Sequence, residues 1–275
     1  MTTWQSDLWH YGDSTGTNPQ WLLLICDRQS NLIYQAKCPQ REVNSQWLKS
    51  QLEQASQHST PDKIAIFRPQ IEGLFSQATT ELKIPLQITR RTPQIKTLIL
   101  QELRKNKTIL PGTNYLALDR PPPQNLPEQI WGENWNLVSI SAGDLLDFAR
   151  DRPIPICDLP ESLVALISQL DPTVKIPGIA IDAARKSMIL TQWLAKAQPI
   201  SLNYIPTEIG QSGGLVLEAG LVERWILATF ESTAVAGAAK NYEQAKQASQ
   251  GLHFLLVQPD DSGMTHTGFW LLKEE

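Results

Sequence analysis

Hydrophobic and polar positions follow each other along the chain in short blocks that predict alternating strands and helices. Continuous apolar runs such as residues 21–26 are typical of buried strands, and apolar positions three or four apart predict helices. In the first half the blocks predict strands at 21–26, 32–36, 63–67 and 85–89 and helices at 44–56, 71–82 and 93–105. This order implies a sheet with parallel crossovers.

The second half has the same mixed character. It predicts helices at 161–170, 183–197 and 233–250 and strands at 178–181, 200–205, 215–219, 223–230, 252–258 and 264–273. Proline clusters at 120–127 and 152–155 separate the halves. We therefore predict an α/β fold of two mixed-sheet domains, 1–118 and 153–275, joined by a Pro-rich connecting segment at 119–152. The strand order of the first also suits a ribonuclease-H-like fold.

Composition narrows the class of protein. The apolar runs are strand-sized, well short of the roughly 20 residues that a membrane-spanning helix needs. The N-terminus resembles neither a signal peptide nor a transit sequence. Three cysteines at unrelated spacings favour the reducing cytosol over a disulfide framework. We expect a soluble, cytoplasmic protein without a membrane span.

Metal and cofactor motifs are weak. The four histidines lack ligand spacing and the chain has no CxxC pair, so no metal site is expected. The glycine-rich loop at 210–214 lacks the Lys-Ser/Thr of a nucleotide loop, and no cofactor is expected.

Acidic residues at strand ends leave a Mg²⁺-dependent nuclease open as an alternative. Asp27 and Asp182 end predicted strands, and Asp260 and Asp261 lie in the last loop. The third strand ends in Arg68, however, where such a nuclease would place a second acid. We therefore expect that the protein is not an enzyme.

The strongest signal is a basic window at 83–107, within a chain of net charge −4. Against one acid, Glu102, the window holds seven cations: Lys83, Arg90, Arg91, Lys96, Arg104, Lys105 and Lys107. The helix dipole alone can account for Arg104 and Lys105, but Arg90 and Arg91 at a strand end are candidate phosphate contacts. Arg185 and Lys186 occupy the matching strand-to-helix junction of the second half. We predict all nine as RNA-binding residues.

Several longer segments resemble a known family. They include residues 4–7 (WQSD), 67–70 (FRPQ), 89–92 (TRRT), 126–128 (LPE), 131–132 (WG), 152–156 (RPIPI), 217–221 (LEAGL) and 251–264 (GLHFLLVQPDDSGM). The chain resembles, over nearly its whole length, the Tab/Atab family of photosystem translation factors. Chloroplast members activate translation of photosystem messengers and bind A/U-rich RNA, and cyanobacteria carry relatives.

The resemblance implies an RNA-binding protein that acts in translation or biogenesis of photosystem subunits, with their A/U-rich messenger RNA as partner. A cyanobacterial member is expected here, whereas plastid relatives work in the chloroplast stroma. The alternative is an assembly factor that docks on the ribosome or on photosystem assembly proteins without touching RNA. For that role the candidates are Asp260, Asp261 and Met264, in and beside the last predicted loop.

Overall fold

A computed structural model of the protein describes residues 2–11, 20–57, 59–105, 115–118, 120–208 and 210–274. Lys107, one of the predicted RNA contacts, lies outside these ranges. The chain divides into two compact units, Met1–Asp119 and Arg120–Glu275. The α/β class with mixed sheets is confirmed: the first unit contains one sheet and the second contains two.

The first unit has one sheet with helices on both faces. Its elements are β1 (Thr3–Tyr11), β2 (Gln20–Cys26), β3 (Leu32–Pro39), α1 (Ser45–Ala55), β4 (Lys63–Ile66), α2 (Glu72–Leu82), β5 (Leu86–Ile88) and α3 (Pro93–Lys105). The sheet order is β3-β2-β1-β4-β5, in which β2 is antiparallel to its neighbours and β1, β4 and β5 are parallel.

The apolar run in β2 is continuous because both faces of this strand are covered. Leu23 and Ile25 pack under α1 and α2, whereas Leu22 and Leu24 pack under α3. A strand with one face in solvent would alternate between apolar and polar residues instead. The Asn44 side chain caps α1 by accepting a hydrogen bond from the backbone N–H of Trp47 at 2.8 Å.

The second unit is built on two sheets. Its elements are β6 (Gln124–Asn125), β7 (Asn134–Ser141), α4 (Ala142–Asp151), β8 (Ile156–Asp158), α5 (Glu161–Ile167), β9 (Lys175–Asp182), α6 (Ser187–Ala197), β10 (Pro199–Glu208), β11 (Ser212–Ala219), β12 (Glu223–Glu231), α7 (Thr233–Ala248), β13 (Leu252–Gln258) and β14 (Gly268–Lys273). The sheet orders are β10-β11-β12-β6 and β7-β9-β13-β14-β8. One core lies between these sheets and α6 and α7, and α4 and α5 cover a second core.

Residues 120–152 of the predicted connecting segment are part of this second unit. β7 pairs with β9 from Asn134 to Ser141, and α4 contributes to the core beneath it. Further upstream, β6 pairs in parallel with β12, and Arg224 Nη1 donates a hydrogen bond to the Pro121 carbonyl at 3.0 Å. The prolines therefore indicate a change in composition. Strand pairing and packing attach the Pro-rich residues to the C-terminal strands and helices of the second unit.

β10 lies at the edge of its sheet, and side chains occupy part of its open side. The backbone N–H of Leu202 donates to His253 Nε2 at 2.8 Å, and its carbonyl accepts from Lys246 Nζ at 3.0 Å. The Tyr204 N–H donates to Glu243 Oε1 at 2.8 Å. These side chains satisfy backbone groups that a neighbouring strand would otherwise pair.

Within the described part of the chain, none of the helices is long and apolar enough to cross a membrane.

Candidate nucleic-acid interface

The basic window of the first unit does not fold into one exposed patch. Lys83 is exposed and ends α2 in a left-handed conformation (φ +56°), before β5 begins. Arg90 follows the far end of β5, and only 7% of it is exposed. Six residues, three of them in β5, separate the two cations along the chain. Little of Arg90 is open to solvent, and its phosphate contact stays a prediction.

The segment between β5 and α3 is a hydrogen-bonded turn. The Arg91 N–H donates to Thr89 Oγ1 at 3.2 Å, and the Thr92 N–H donates to the Arg90 carbonyl at 2.8 Å. Lys96 Nζ donates to the same carbonyl at 2.8 Å. The half-buried Lys96 thus has a role in holding this turn, whereas Arg91 remains partly exposed.

The C-terminal end of α3 carries the exposed cations of this helix. Arg104 and Lys105 are both exposed, and Lys105 forms an ion pair of 2.7 Å with Glu102. They lie about 12 Å along the helix axis from Lys96, at 1.5 Å per residue. Among the predicted cations of the first unit that the structure describes, three are exposed, Lys83, Arg104 and Lys105, whereas Arg91 and Lys96 are partly exposed and Arg90 is buried.

A buried ion pair in the first unit was not predicted from the sequence. Asp7 in β1 is fully buried, and its carboxylate accepts two hydrogen bonds from Arg68 Nε, at 2.7 and 3.0 Å. Arg68 also donates to the Tyr115 carbonyl at 2.8 Å. Burial raises the pKa of Asp7 to about 6, against the opposing effect of Arg68. The pair of Asp7 and Arg68 thus links β1 to the segments that carry Arg68 and Tyr115, which is a structural role.

In the second unit, two groups of candidates that are distant in sequence meet at one edge of a sheet. β9 and β13 are parallel neighbours, and Asp182 is in register with Gln258 at their carboxyl ends. Beyond the strands, the Ala183 N–H donates to the Gln258 carbonyl and the Ala184 N–H to the Pro259 carbonyl, each at 2.9 Å. The loop that carries Arg185 and Lys186 is therefore adjacent to the loop that carries Asp260, Asp261 and Met264.

The side chains at this edge are exposed and differ in charge. In the portion of the chain that the structure covers, neither Arg185 nor Lys186 forms an ion pair or a side-chain hydrogen bond. Asp260 accepts a hydrogen bond from the Ser262 N–H at 3.0 Å, and bonds with Ser262 lower the pKa of its carboxyl. Met264 is 85% exposed.

Trp131 lies close to the same edge, and sequence reasoning did not single it out as a site residue. The Glu133 N–H donates to the Asp182 carbonyl at 2.8 Å, which fixes residues 131–133 beside the end of β9. Trp131 is 51% exposed, and its indole Nε1–H donates to the Leu126 carbonyl at 2.8 Å. The feature of the sequence that could have indicated this site is a tryptophan within a proline-rich stretch. We call Trp131, Arg185, Lys186 and Ile189, an exposed residue of the following helix α6, the strand-end surface.

The histidines of the last hairpin have ordinary structural partners. His253 Nδ1 donates to the Gly251 carbonyl, while Nε2 accepts from Leu202, and burial lowers the pKa of His253 to about 3. Both nitrogens of His253 are therefore occupied. The His266 ring packs edge-on against Phe148, with centroids 5.2 Å apart. No group of three or more potential metal ligands occurs among the residues that the structure describes.

Comparison with known proteins gives two family matches. Residues 3–102 match the model of the RNA-binding protein Tab2/Atab2 N terminal, and residues 113–273 match that of the RNA-binding protein Tab2/Atab2, C-terminal domain.

Two curated relatives match along most of the chain. The chloroplastic protein TAB2 homolog of Arabidopsis thaliana is 29% identical over 265 residues, which cover 92% of this chain and 69% of the relative. The chloroplastic protein TAB2 homolog of Zea mays is 26% identical over 264 residues, with 92% and 66% covered. The chain thus spans about two thirds of the length of these relatives.

Among solved structures, the HTLV-2 integrase catalytic core domain in complex with magnesium aligns with 41% of this chain and 75% of its own chain. The sequence identity is 19% and the TM-score 0.28, a likeness too low to indicate function. The family matches, in contrast, extend over both units. Because they cover most of the sequence, the chain belongs to the Tab2/Atab2 family of RNA-binding proteins.

Proposed function

We propose that the protein binds A/U-rich single-stranded RNA in messengers for photosystem subunits and acts in their translation or in photosystem biogenesis. The family match over both units is the observation that carries this proposal. All three cysteines are free thiols, which suits a reducing compartment such as a cyanobacterial cytoplasm or, for the plastid relatives, the stroma.

We assign the first RNA contacts to an α3 surface formed by Arg104 and Lys105, the exposed cations at the C-terminal end of that helix. Exposed cations neutralise phosphates and release counterions, and this term dominates sequence-independent affinity for nucleic acid. The α3 surface leaves out Arg90, which is buried, and Lys96, whose ammonium group holds the turn before α3. Contacts between the α3 surface and phosphates supply affinity along the RNA backbone. Recognition of the bases requires other groups.

The test measures binding of a labelled A/U-rich single strand by fluorescence anisotropy over a range of salt concentrations. With about four phosphates neutralised, log affinity should fall with log salt with a slope on the order of −3. Changing Arg104→Glu together with Lys105→Glu should weaken binding and make the slope shallower by about 1.4, since two contacts are lost.

The matched control is Arg28→Glu with Arg41→Glu, which alters the net charge equally at two other exposed cations of the first unit. This control should keep the wild-type slope and nearly the wild-type affinity. Equal weakening by both pairs would mean that only net charge matters, and it would contradict the α3 surface. A wild-type protein that binds no RNA at low salt would contradict the function itself.

A protein-docking role without RNA contact is the second candidate. Its specific support is the 85% exposure of Met264, since an exposed thioether side chain suits an adaptable protein contact. Asp260 and Asp261 are exposed in the same loop and would add charge complementarity to a basic partner.

A further inference from the structure

We propose that the strand-end surface of the second unit is a base-stacking site for single-stranded RNA. A base would stack on the Trp131 ring, the adjoining phosphates would contact Arg185 and Lys186, and Ile189 would pack against the neighbouring base or ribose. This inference rests on the proposed RNA-binding function but concerns a different surface, in the other unit.

The Trp131 ring is held in place yet half open to solvent. Its one polar atom, Nε1–H, already donates to the Leu126 carbonyl at 2.8 Å. The next residue, Gly132, lies so close to β9 that a Cβ atom there would be 2.5 Å from Ile181 Cγ2. The backbone beneath the ring is therefore fixed, and a ring already oriented loses little entropy when a base stacks on it. Every base has an aromatic face, so such a contact tolerates different sequences.

The two cations project from a turn that follows a central strand of the sheet. In open α/β sheets, ligands bind outside the carboxyl ends of the strands. Ala184, just before Arg185, has a φ of +42°, in the left-handed region that residues other than glycine seldom adopt. Its N–H donates to the Pro259 carbonyl, which holds this strained turn in place. Within the described ranges Arg185 and Lys186 have no acidic partner, so both charges can pair with phosphate.

An exposed apolar side chain completes the surface. Ile189 in α6 is 55% exposed, and α6 packs against the 3-10 turn at Glu128–Ile130, which immediately precedes Trp131. The following residue, Leu190, is buried and shares a small apolar cavity with Leu126 and Gly132. Helix α6 and the Trp131 segment are thus packed together, and the segments at the carboxyl end of β9 carry an exposed aromatic ring, an exposed aliphatic side chain and two exposed cations. This combination matches a nucleotide, which has an aromatic face and an anionic backbone.

The acidic loop that follows β13, on the other side of β9, determines which way the RNA strand runs across the surface. Asp260 and Asp261 would repel phosphates, so the RNA backbone should follow the side of Trp131 and Ile189. A basic or apolar protein partner would be expected to use the acidic loop and Met264 as well. The two exposed cations beside the exposed indole favour RNA as the occupant.

The experiment uses the chain of 275 residues, the labelled A/U-rich single strand and an oligomer of equal length with abasic sites. Trp131→Ala should reduce affinity for the intact strand on the order of tenfold at every salt concentration, because a stacking contact is lost. Its salt slope should remain that of the wild type. Trp131→Phe, which keeps an aromatic face, should retain most of the affinity. Toward the abasic oligomer, Trp131→Ala and the wild type should bind equally.

Arg185→Glu with Lys186→Glu should show the complementary pattern, with a salt slope shallower by about 1.4 for both oligomers. Met264→Ala is the matched control for Trp131→Ala, because Met264 is also an exposed side chain at these strand ends. It should bind like the wild type.

If Trp131→Ala binds the intact strand normally while the α3 variants weaken it, this inference is wrong and the proposed function stands. Equal weakening toward the abasic oligomer would also overturn stacking. A wild-type protein that binds neither oligomer contradicts the function itself.

Discussion

At the scale of single residues, burial changes the meaning of several charges that the sequence shows only as charges. Lys246 lies in a polar, alanine-rich segment and resembles a surface lysine, yet it is fully buried. Arg90 resembles an exposed phosphate contact and is 7% exposed. The sequence pattern gives the type of each side chain, but its exposure depends on elements far away in the chain. Candidate RNA contacts can therefore be proposed from the sequence. Which of these residues are accessible to RNA, and which are buried in structural roles, is decided by the fold.

Lys246 provides a direct test of such a buried charge. Its Nζ donates to the Leu202 carbonyl at 3.0 Å, to Asn203 Oδ1 at 2.8 Å and to the Glu243 carboxylate at 2.9 Å. We expect Lys246→Met to lower the free energy of unfolding by about 3 kcal/mol, since these acceptors lose their donor. Urea unfolding followed by circular dichroism measures this change.

Lys240→Met, at an exposed position of the same helix, is the matched control and should stay within about 0.5 kcal/mol of the wild type. Glu243→Gln added to Lys246→Met should recover part of the loss, because an uncompensated carboxylate is removed. A Lys246→Met protein as stable as the Lys240→Met control would show that the buried ammonium group contributes nothing.

At the scale of elements, periodicity predicted most helices and strands closely. The predicted helix at 93–105 has the bounds of α3, and the strand predicted at 252–258 has those of β13. β1 was missed because Gln5, Ser6 and Asp7 interrupt its apolar positions, although all three are buried. These polar groups are satisfied by tertiary contacts, as when the Ser6 hydroxyl donates to the Leu24 carbonyl. The local pattern of apolar and polar residues carries no information about hydrogen-bond partners that are distant in the sequence.

The loop between β13 and β14 is the element on which the docking alternative depends. Asp260→Ala with Asp261→Ala removes both exposed charges, and Ser262 loses its partner at Asp260. If the loop docks a basic protein partner, this variant should lose co-purified partners and lower photosystem accumulation, while RNA affinity stays equal or rises slightly. Affinity purification with mass spectrometry and anisotropy measure the two outcomes separately. Unchanged partners and unchanged photosystem levels would contradict docking at this loop.

At the scale of the whole molecule, carboxylates that could suggest a nuclease have other partners. Asp27 accepts hydrogen bonds from Gln29 and Asn31 within its own turn. Although partial burial acts to raise the pKa of Asp27, the bonds from Asn31 and Gln29 lower it below its usual value. Asp182 accepts from the Gln258 amide at 2.8 Å.

We accordingly expect no Mg²⁺-dependent cleavage of single-stranded RNA or DNA by the intact protein. Labelled strands incubated with the protein in Mg²⁺ or in EDTA should give identical gels, and Asp27→Asn should bind RNA as the wild type does. Cleavage that requires Mg²⁺ and disappears in Asp27→Asn would establish the nuclease alternative instead.

The side chains along β10 have a consequence for self-association. The open edge of a sheet is a template on which a strand from another molecule can add, and this is a common origin of aggregates and exchanged dimers. On β10 the N–H and carbonyl of Leu202 and the N–H of Tyr204 are already bonded to side chains of α7 and β13. Further along, Pro206 has no N–H to offer. An intruding strand would have to expel a buried ammonium group before forming its first hydrogen bonds, so fibril growth should not begin at this edge.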